Sequence, residues 1–431
     1  MKNLFLSKRG LYVIAIILVF SCKKNSETKF SGPAAVNASV NNRAGAAEIF
    51  NPFGVMVLAS AAVDTGKDLS TPSRQKLLSA QNAVNLAVDY GVRYYRMQIY
   101  YDKWMSSTTR QGFLYCYSQA NTAGLKVLLN VNWYYTDSVA KPFADAAAYT
   151  AYLKSVLDTL NAMQMKPELI VIENEEQNMN RHIFDMSSTT ALHSSQQKYI
   201  DQLSSGTALC NDYVWWDGTV GIKVTNGGFT TRGITYNVWN WLKNETGDTT
   251  AARTFAINAF SPKVYADLYR KKLPSYLSTA IDMGNYYISA FQQIPMSVVN
   301  LHWYEPAKVR GWNMTKEQIS PWDLGISQDS ISPGVLDQVV AYLTAKFYQK
   351  IVTQEVGQLT TSAVLNKAMT DKFLTRPNGA FDYVCWYDGD SNSPFESKAM
   401  HNTYMVGTKD SYTKRDNGFT YENTNASLMP Q

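Results

Sequence analysis

Residues 169–178 read Leu-Ile-Val-Ile-Glu-Asn-Glu-Glu-Gln-Asn. Branched apolar residues stop abruptly at a run of carboxylates and amides. So short an apolar run, bounded by polar residues, reads as a buried strand with chemistry at its exit. The pattern returns at residues 350–358, Lys-Ile-Val-Thr-Gln-Glu-Val-Gly-Gln, where another apolar run ends at Glu355. Side chains at the exits of parallel strands gather on one rim. The two segments therefore predict a parallel α/β fold with both carboxylates at the same end of the sheet.

Outward from these segments, short apolar runs alternate with longer amphipathic stretches from about Ile49 onward, the mark of a parallel α/β fold. Strands are predicted at residues 53–60, 92–99, 125–131, 169–173, 220–225, 297–302, 351–354 and 383–386. Helices are predicted at residues 73–90, 111–123, 144–162, 194–213, 335–348 and 362–374, the first two stopped by Gly91 and Gly124. A largely helical insertion, residues 226–293, follows the fifth strand. Eight strands with helical connections match a single (β/α)8 TIM barrel over residues 48–405. An open doubly wound sheet is the structural competitor, but the Gly-rich phosphate loop that often accompanies it is missing. No internal repeat points to a solenoid or propeller.

The first residues read differently. Lys2, Lys8 and Arg9 precede an apolar run of ten residues, 11–20, which is too short to span a bilayer and suits a secretory signal. It ends at Ser21-Cys22, which resembles the lipobox of bacterial lipoproteins, a resemblance that implies acylation of Cys22. An ordinary signal peptide with an incidental Cys22 is the alternative. Residues 1–21 are thus expected to be a lipoprotein signal peptide, 22–47 a flexible polar tether and 406–431 a polar, extended C-terminal tail. Loss of three cations with the signal lowers the formal charge from +5 to +2, and no basic stripe remains to bind nucleic acid. Cys116, Cys210 and Cys385 are an odd number, so no disulfide framework is implied. Cys385, inside an apolar run, reads as a small packing hydrophobe.

The rim of the expected barrel holds the chemistry. Arg96 lies on the second strand. The third ends in Asn130, Asn132 and Trp133, the fourth in Asn174 and Glu175, and the fifth in Asn226. The sixth ends in His302, Trp303, Tyr304 and Glu305, the seventh in Glu355 and the eighth in Trp386. Paired carboxylates there suit hydrolysis of a glycosidic bond, in which one group protonates the leaving oxygen and the other attacks or stabilises the anomeric carbon.

This set resembles glycoside hydrolase clan A, and families similar to family 5 in particular, over nearly the whole barrel. Asn174-Glu175 matches the clan's Asn-Glu pair at the fourth strand. Glu355-Val356-Gly357 matches its nucleophile segment at the seventh. Arg96, His302 with Tyr304, and Trp386 match further family 5 positions. The sequence departs where Glu176 replaces a frequent Pro and Asn132 a frequent His, which leaves the family and the sugar open. The resemblance implies retaining hydrolysis of a β-linked glycan, with Glu175 as acid/base and Glu355 as nucleophile. Arg96 and Tyr304 would hydrogen-bond Glu355, Asn174 would meet the sugar 2-hydroxyl, and Trp386 would floor the site. Asn132, Trp133 and His302 complete the expected substrate contacts.

Blander readings stand beside these. Glu173 lies on the same side of an ideal strand as Glu175 and could be the functional group instead. Glu355 could be a structural partner of Arg96, His302 a satisfied core histidine, and Trp133, Tyr134 and Tyr135 packing residues rather than a sugar platform. No HExxH, zinc spacing or GxSxG occurs, so neither metal, cofactor nor serine nucleophile is expected. An aldolase-like or metal-dependent barrel is disfavoured because the sequence shows neither a metal cluster nor a suitable Lys at a strand end. The expected partners are a carbohydrate and, through the lipid, a membrane of the bacterial cell envelope, on its periplasmic face or the cell surface. Nucleic acid is not expected, and the protein reads as a monomer. The competing reading is a glycan-binding lipoprotein that keeps the barrel without catalysis.

Overall fold

The computed structural model describes residues 51–57, 80–133, 140–179, 181–304, 334–357, 381–388, 405–408 and 411–414, with the side chains of 57, 80–82, 304, 357, 387–388 and 405–414 excepted. All belong to one compact unit, Glu48–Gln431. The expected signal, tether and acylated Cys22, the helix at 362–374, and Tyr134, Tyr135 and Glu305 lie outside the described residues.

Parallel strands run through the chain as β1 (Phe53–Val57), β2 (Tyr94–Tyr100), β3 (Lys126–Asn132), β4 (Leu169–Ile172), β5 (Lys223–Asn226), β6 (Phe229–Thr230), β7 (Val298–Tyr304), β8 (Lys350–Gly357) and β9 (Phe381–Asp388). They hydrogen-bond in the order β5-β4-β3-β2-β1-β9-β8-β7-β6. The two ends of this order, β5 and β6, are one stave interrupted at Gly227-Gly228, so eight staves form a ring. Side chains close the seam between β5 and β7. Asn300 donates its backbone N–H to Asn226 Oδ1 at 2.8 Å, and Asn226 Nδ2 returns a bond to Asn300 O at 3.2 Å. Thr225 Oγ1 donates to Val298 O at 2.8 Å. The fold is a (β/α)8 barrel.

The fifth strand differs from the sequence reading. Val220 is not part of it but makes an antiparallel bridge to Val214, and Trp215 donates its N–H to Thr219 O at 2.9 Å. The strand therefore starts at Lys223. The predicted helical insertion is present after it as α-helices at Thr231–Asn240, Thr249–Ala259, Pro262–Leu268 and Ser275–Phe291, with a π-helical turn at Trp241–Glu245. The polar tail contains a hairpin, with Met405–Thr408 paired antiparallel to Ser411–Lys414.

Two apolar layers follow from strand alternation. Tyr94, Leu128, Leu169, Val171, Val298, Val352, Tyr383 and Cys385 pack inside the barrel toward the N-terminal ends of the strands. The alternate residues face the helices. The helix Ala146–Ala162 buries Tyr149, Tyr152, Leu153, Val156, Leu157 and Leu160 at helical spacing, and Asp145 caps it by accepting from the N–H groups of Ala147 and Ala148. The helix Thr189–Asp212 starts at a Ser188 cap. Tyrosines from these helices reach the ends of the strands: Tyr149 Oη donates to Val131 O at 2.6 Å and Tyr199 Oη to Ile172 O at 2.9 Å. They satisfy carbonyls where the ladder ends, which a buried strand exit requires.

Candidate active site

Inside the barrel, the side chains turn from apolar to polar toward the C-terminal ends. The β4 exit sets the site. Glu173 and Glu175 both adopt left-handed backbone, with φ of 63° and 52°. Such residues typically cost about 1–3 kcal/mol each and persist only where neighbours hold them. Here Val131 O accepts from the Glu173 N–H at 3.1 Å, Gly227 O from the Glu175 N–H at 3.2 Å, and Tyr199 Oη from the Gly227 N–H at 2.8 Å. The turn breaks the alternation that would stack Glu173 below Glu175. Glu173 swings toward β3, where its Oε1 accepts from the Trp133 N–H at 3.1 Å. Glu175 turns across the barrel toward β7 and β8.

There it meets His302 and Glu355. His302 Nδ1 lies 3.2 Å from Glu175 Oε1 and 3.6 Å from Glu355 Oε2. Ligand atoms of Glu175, His302 and Glu355 all lie within 4.8 Å of one another. Arg96 is buried beneath them. Its Nη1 donates to Glu355 Oε2 at 2.6 Å, its Nη2 to Asn174 Oδ1 at 2.7 Å, and its Nε to Asn130 Oδ1 and Gln354 Oε1, both at 3.1 Å. From the solvent side, Asn178 Nδ2 and Arg181 Nε donate to Glu175 Oε2 at 2.7 and 3.1 Å.

Burial works against the charge on Glu175, but the His302 hydrogen bond, the Arg181 charge and the Asn178 amide outweigh it and hold the carboxyl well below the usual range. Its neighbours go the other way. Burial pushes Glu173 up to about 8, opposed by the Trp133 N–H, and pushes Glu176 up to about 7, opposed by hydrogen bonds that include Asn226 Nδ2. Three neighbouring carboxyls thus separate into one ionised group, Glu175, and two whose protons are held into the neutral range, Glu173 more firmly than Glu176.

The structure brings together Arg96, Asn174, Glu175, His302 and Glu355. Asn132 and Trp133 stand beside them. Asn132 Nδ2 donates to Gln98 Oε1 at 3.3 Å, while its buried Oδ1 has no partner among the described residues. Trp133 stacks on Tyr101 with ring centres 4.2 Å apart. A cavity of about 20 Å³ lies here, lined by residues that include Asn132, Glu173, Asn174 and Arg181. Trp386 is not in this group. Cys385 faces the barrel interior, so Trp386 faces outward, fully buried among the apolar residues under the helices. The Tyr304 side chain lies outside the described residues. Asn178, Arg181 and Gln354 are the participants that strand-end reasoning misses. The first two sit in the loop after β4, and Gln354 enters through a bulge.

Glu175, His302 and Glu355 are the one group of three or more His, Cys, Asp and Glu among the described residues whose ligand atoms converge. Both carboxylates already face guanidinium groups, which serves hydrogen bonding better than coordination of a cation. A larger cavity of about 630 Å³, lined by Lys126, Lys166, Glu168 and Lys223 among others, lies at the N-terminal ends of the strands, away from this chemistry.

No family model matches the chain, and no protein of curated function matches it in sequence. Solved structures do match in fold. The chain superposes on a β-glucosidase from Exiguobacterium marinum with a TM-score of 0.52 at 10% identity, covering 90% of this chain and 100% of that one. It matches the β-glucosidase from Trichoderma harzianum with a TM-score of 0.52 at 11% identity, covering 90% and 99%. An exo-β-1,4-mannosidase from Opitutaceae bacterium strain TAV5 gives a TM-score of 0.50 at 13% identity, with 89% of this chain covered but only 61% of the mannosidase. The barrel is one that β-glycosidases use.

Proposed function

We propose that this protein is a retaining glycoside hydrolase acting on a β-linked glycan. The observation that carries the reading is the convergence of Glu175 and Glu355 across the rim of the barrel, with an oxygen of each within 4.8 Å of the other. Carboxyls about 5–5.5 Å apart serve double displacement, whereas an inverting pair needs about 6.5–9.5 Å to admit water. Glu355, fixed by Arg96, attacks the anomeric carbon as the bond to the leaving oxygen breaks. Glu175 gives that oxygen its proton. Water then attacks the glycosyl ester, losing a proton to Glu175, and Glu355 leaves as the carboxylate. The β-glycosidase barrels that share the fold favour a β-linked substrate.

Glu175 must carry a proton to begin, and in the resting arrangement it is ionised. Arg181 is the exposed part of that restraint, with a side chain 36% exposed, while His302, which hydrogen-bonds the same carboxyl, is fully buried. A sugar that displaces Arg181 leaves Glu175 facing Glu355 at short range, and like charges so close favour one shared proton. The same saturation of Glu175 is the observation that favours the second reading, a glycan-binding protein without turnover. We also propose that Cys22 carries a lipid that holds the protein at the cell envelope. Cys22→Ala should then release it from the membrane fraction, and retention of that variant would refute the anchor.

The deciding experiment incubates the protein from Lys23 onward, and its Glu355→Ala variant, with β-mannans, β-glucans, xylans and galactans. Wild-type release of sugar with retained anomeric configuration, at least about a thousandfold above the variant, is expected. Binding of one polymer by both proteins, with no release by either, would replace hydrolysis with the binding reading.

A further inference from the structure

The β8 strand carries a bulge beside the candidate nucleophile. Asn300 pairs with Val352 and His302 with Glu355, so two residues of β7 oppose three of β8. The Gln354 N–H donates to Asn300 Oδ1 at 3.3 Å, and Thr353 Oγ1 to Glu355 O at 3.2 Å, which pins the extra residue. In a regular strand, Gln354 and Glu355 would face opposite sides. The bulge lets both reach the same two partners. Arg96 donates to Gln354 Oε1 and to Glu355 Oε2, and His302 faces Gln354 through Nε2 and both carboxylates through Nδ1.

This arrangement fixes a proton. Arg96 Nε–H can only donate, so the Gln354 atom that faces it at 3.1 Å must be the amide oxygen, which shares this N–H with Asn130 Oδ1. The amide nitrogen must then face His302 Nε2, 3.4 Å away. That nitrogen can only donate, so Nε2 must accept and the ring proton sits on Nδ1. Reversing the amide would set two donors against each other at Arg96. The opposite tautomer would do the same at Nε2 and would aim an Nδ1 lone pair at two carboxylates.

We propose that Gln354 is a positioning residue that holds His302 with its proton on Nδ1, so that one N–H stands between Glu175 and Glu355. The inference rests on the hydrolase reading for its use, not for its geometry. In the first half-reaction, charge leaves Glu355 as the ester forms and appears on Glu175 as it gives up its proton. In the second, the charge returns. A fixed N–H, hydrogen-bonded to Glu175 at 3.2 Å and 3.6 Å from Glu355 Oε2, needs only a small shift to serve whichever carboxylate is charged, with no proton leaving the ring. Gly228 keeps the ring in place. Its φ is 114°, and a Cβ there would overlap His302 Cδ2 and Nε2.

The test is 15N spectroscopy of protein labelled at histidine, with His302 assigned by its loss in His302→Gln. Wild type should show a protonated Nδ1 and an unprotonated Nε2. Gln354→Glu sets a carboxylate against Nε2 and should place a proton on that nitrogen. The same variant should lower kcat by about ten- to a hundredfold with KM changed by less than about threefold, because the defect lies in aligning reacting groups. A protonated Nε2 in wild type overturns the proposal whether or not any variant folds. So does an unchanged His302 spectrum, or an unchanged kcat, in Gln354→Glu. If wild type has the Nδ1 proton but cleaves no glycan, the tautomer assignment is supported and the hydrolase reading fails by itself.

Discussion

Arg96 and Arg181 grip the two facing carboxylates with unequal firmness, and in the proposed reaction that difference makes Glu175 the group free to act as an acid. Arg96 spends its donors on Glu355, Asn174, Asn130 and Gln354, all inside the barrel. Arg181 reaches Glu175 from a partly exposed loop, where solvent screens its charge. Removing it should therefore act on Glu175 without loosening Glu355. Loss of a nearby cation raises a carboxyl pKa, so Glu175 in Arg181→Ala should stay protonated to higher pH. The alkaline limb of kcat/KM should then move up, by about half a unit or more, with the acid limb unmoved. Glycan turnover measured from pH 4 to 9 checks this. An alkaline limb that stays put in the variant would mean that Arg181 does not govern the acid.

At the scale of elements, the site depends on three departures from regular strands: the left-handed turn after β4, the Gly227-Gly228 break between β5 and β6, and the β8 bulge. The break can be tested at Gly228. A side chain there must adopt φ near 114° and displace the His302 ring, whereas Gly218, at φ 77°, has open space around its Cβ direction. Gly228→Ala should cost about 2–4 kcal/mol from backbone strain and overpacking together. Gly218→Ala should cost about 1 kcal/mol. Thermal unfolding of the two variants separates them, and equal losses would mean that His302 is not held by this contact. The same departures mark what sequence could and could not carry. Apolar runs such as Leu169–Ile172 and Lys126–Asn132 announce strands because both faces are buried. The rim residues Arg96, Asn174, Glu175, His302 and Glu355 follow from where those runs stop. A bulge leaves no trace in hydrophobic period, so Gln354 reads as the end of a strand. Left-handed backbone at a Glu has no residue signature either, so the divergence of Glu173 from Glu175 could not be read. Val220 resembles a strand start because an isolated bridge and a buried strand use the same residue types.

At the scale of the molecule, Glu173 and Glu176 tie folding to pH. Burial raises their pKa values from 4.5 to about 8 and about 7. Between pH 4.5 and those values, the folded state holds protons that the unfolded chain has lost. The stabilisation is complete below the unfolded value and is lost as pH rises through the folded ones, with a slope of at most about 1.4 kcal/mol per unit for each group. His182 acts in the opposite sense. Burial lowers it from 6.5 to about 4, so the unfolded state binds the extra proton there and stability rises with pH across that interval. Below pH 6.5, His182 therefore offsets about one of the two acids; above it, nothing from His182 remains. Glu175 and Glu168, both lowered, contribute stability above pH 4.5 and lose it only in stronger acid, so they leave the neutral range flat. The net expectation is a stability profile that declines most steeply between about pH 6.5 and 7, where both acids act without His182, and then at about the slope of Glu173 alone up to pH 8. Glu173→Gln with Glu176→Gln keeps the size and the polar contacts while removing both titrations, and should flatten that decline. Unfolding by denaturant at half-unit steps from pH 5 to 8.5 reads the slope directly. A decline of the same steepness in the double variant would assign the pH dependence to other groups and remove these two acids from the account.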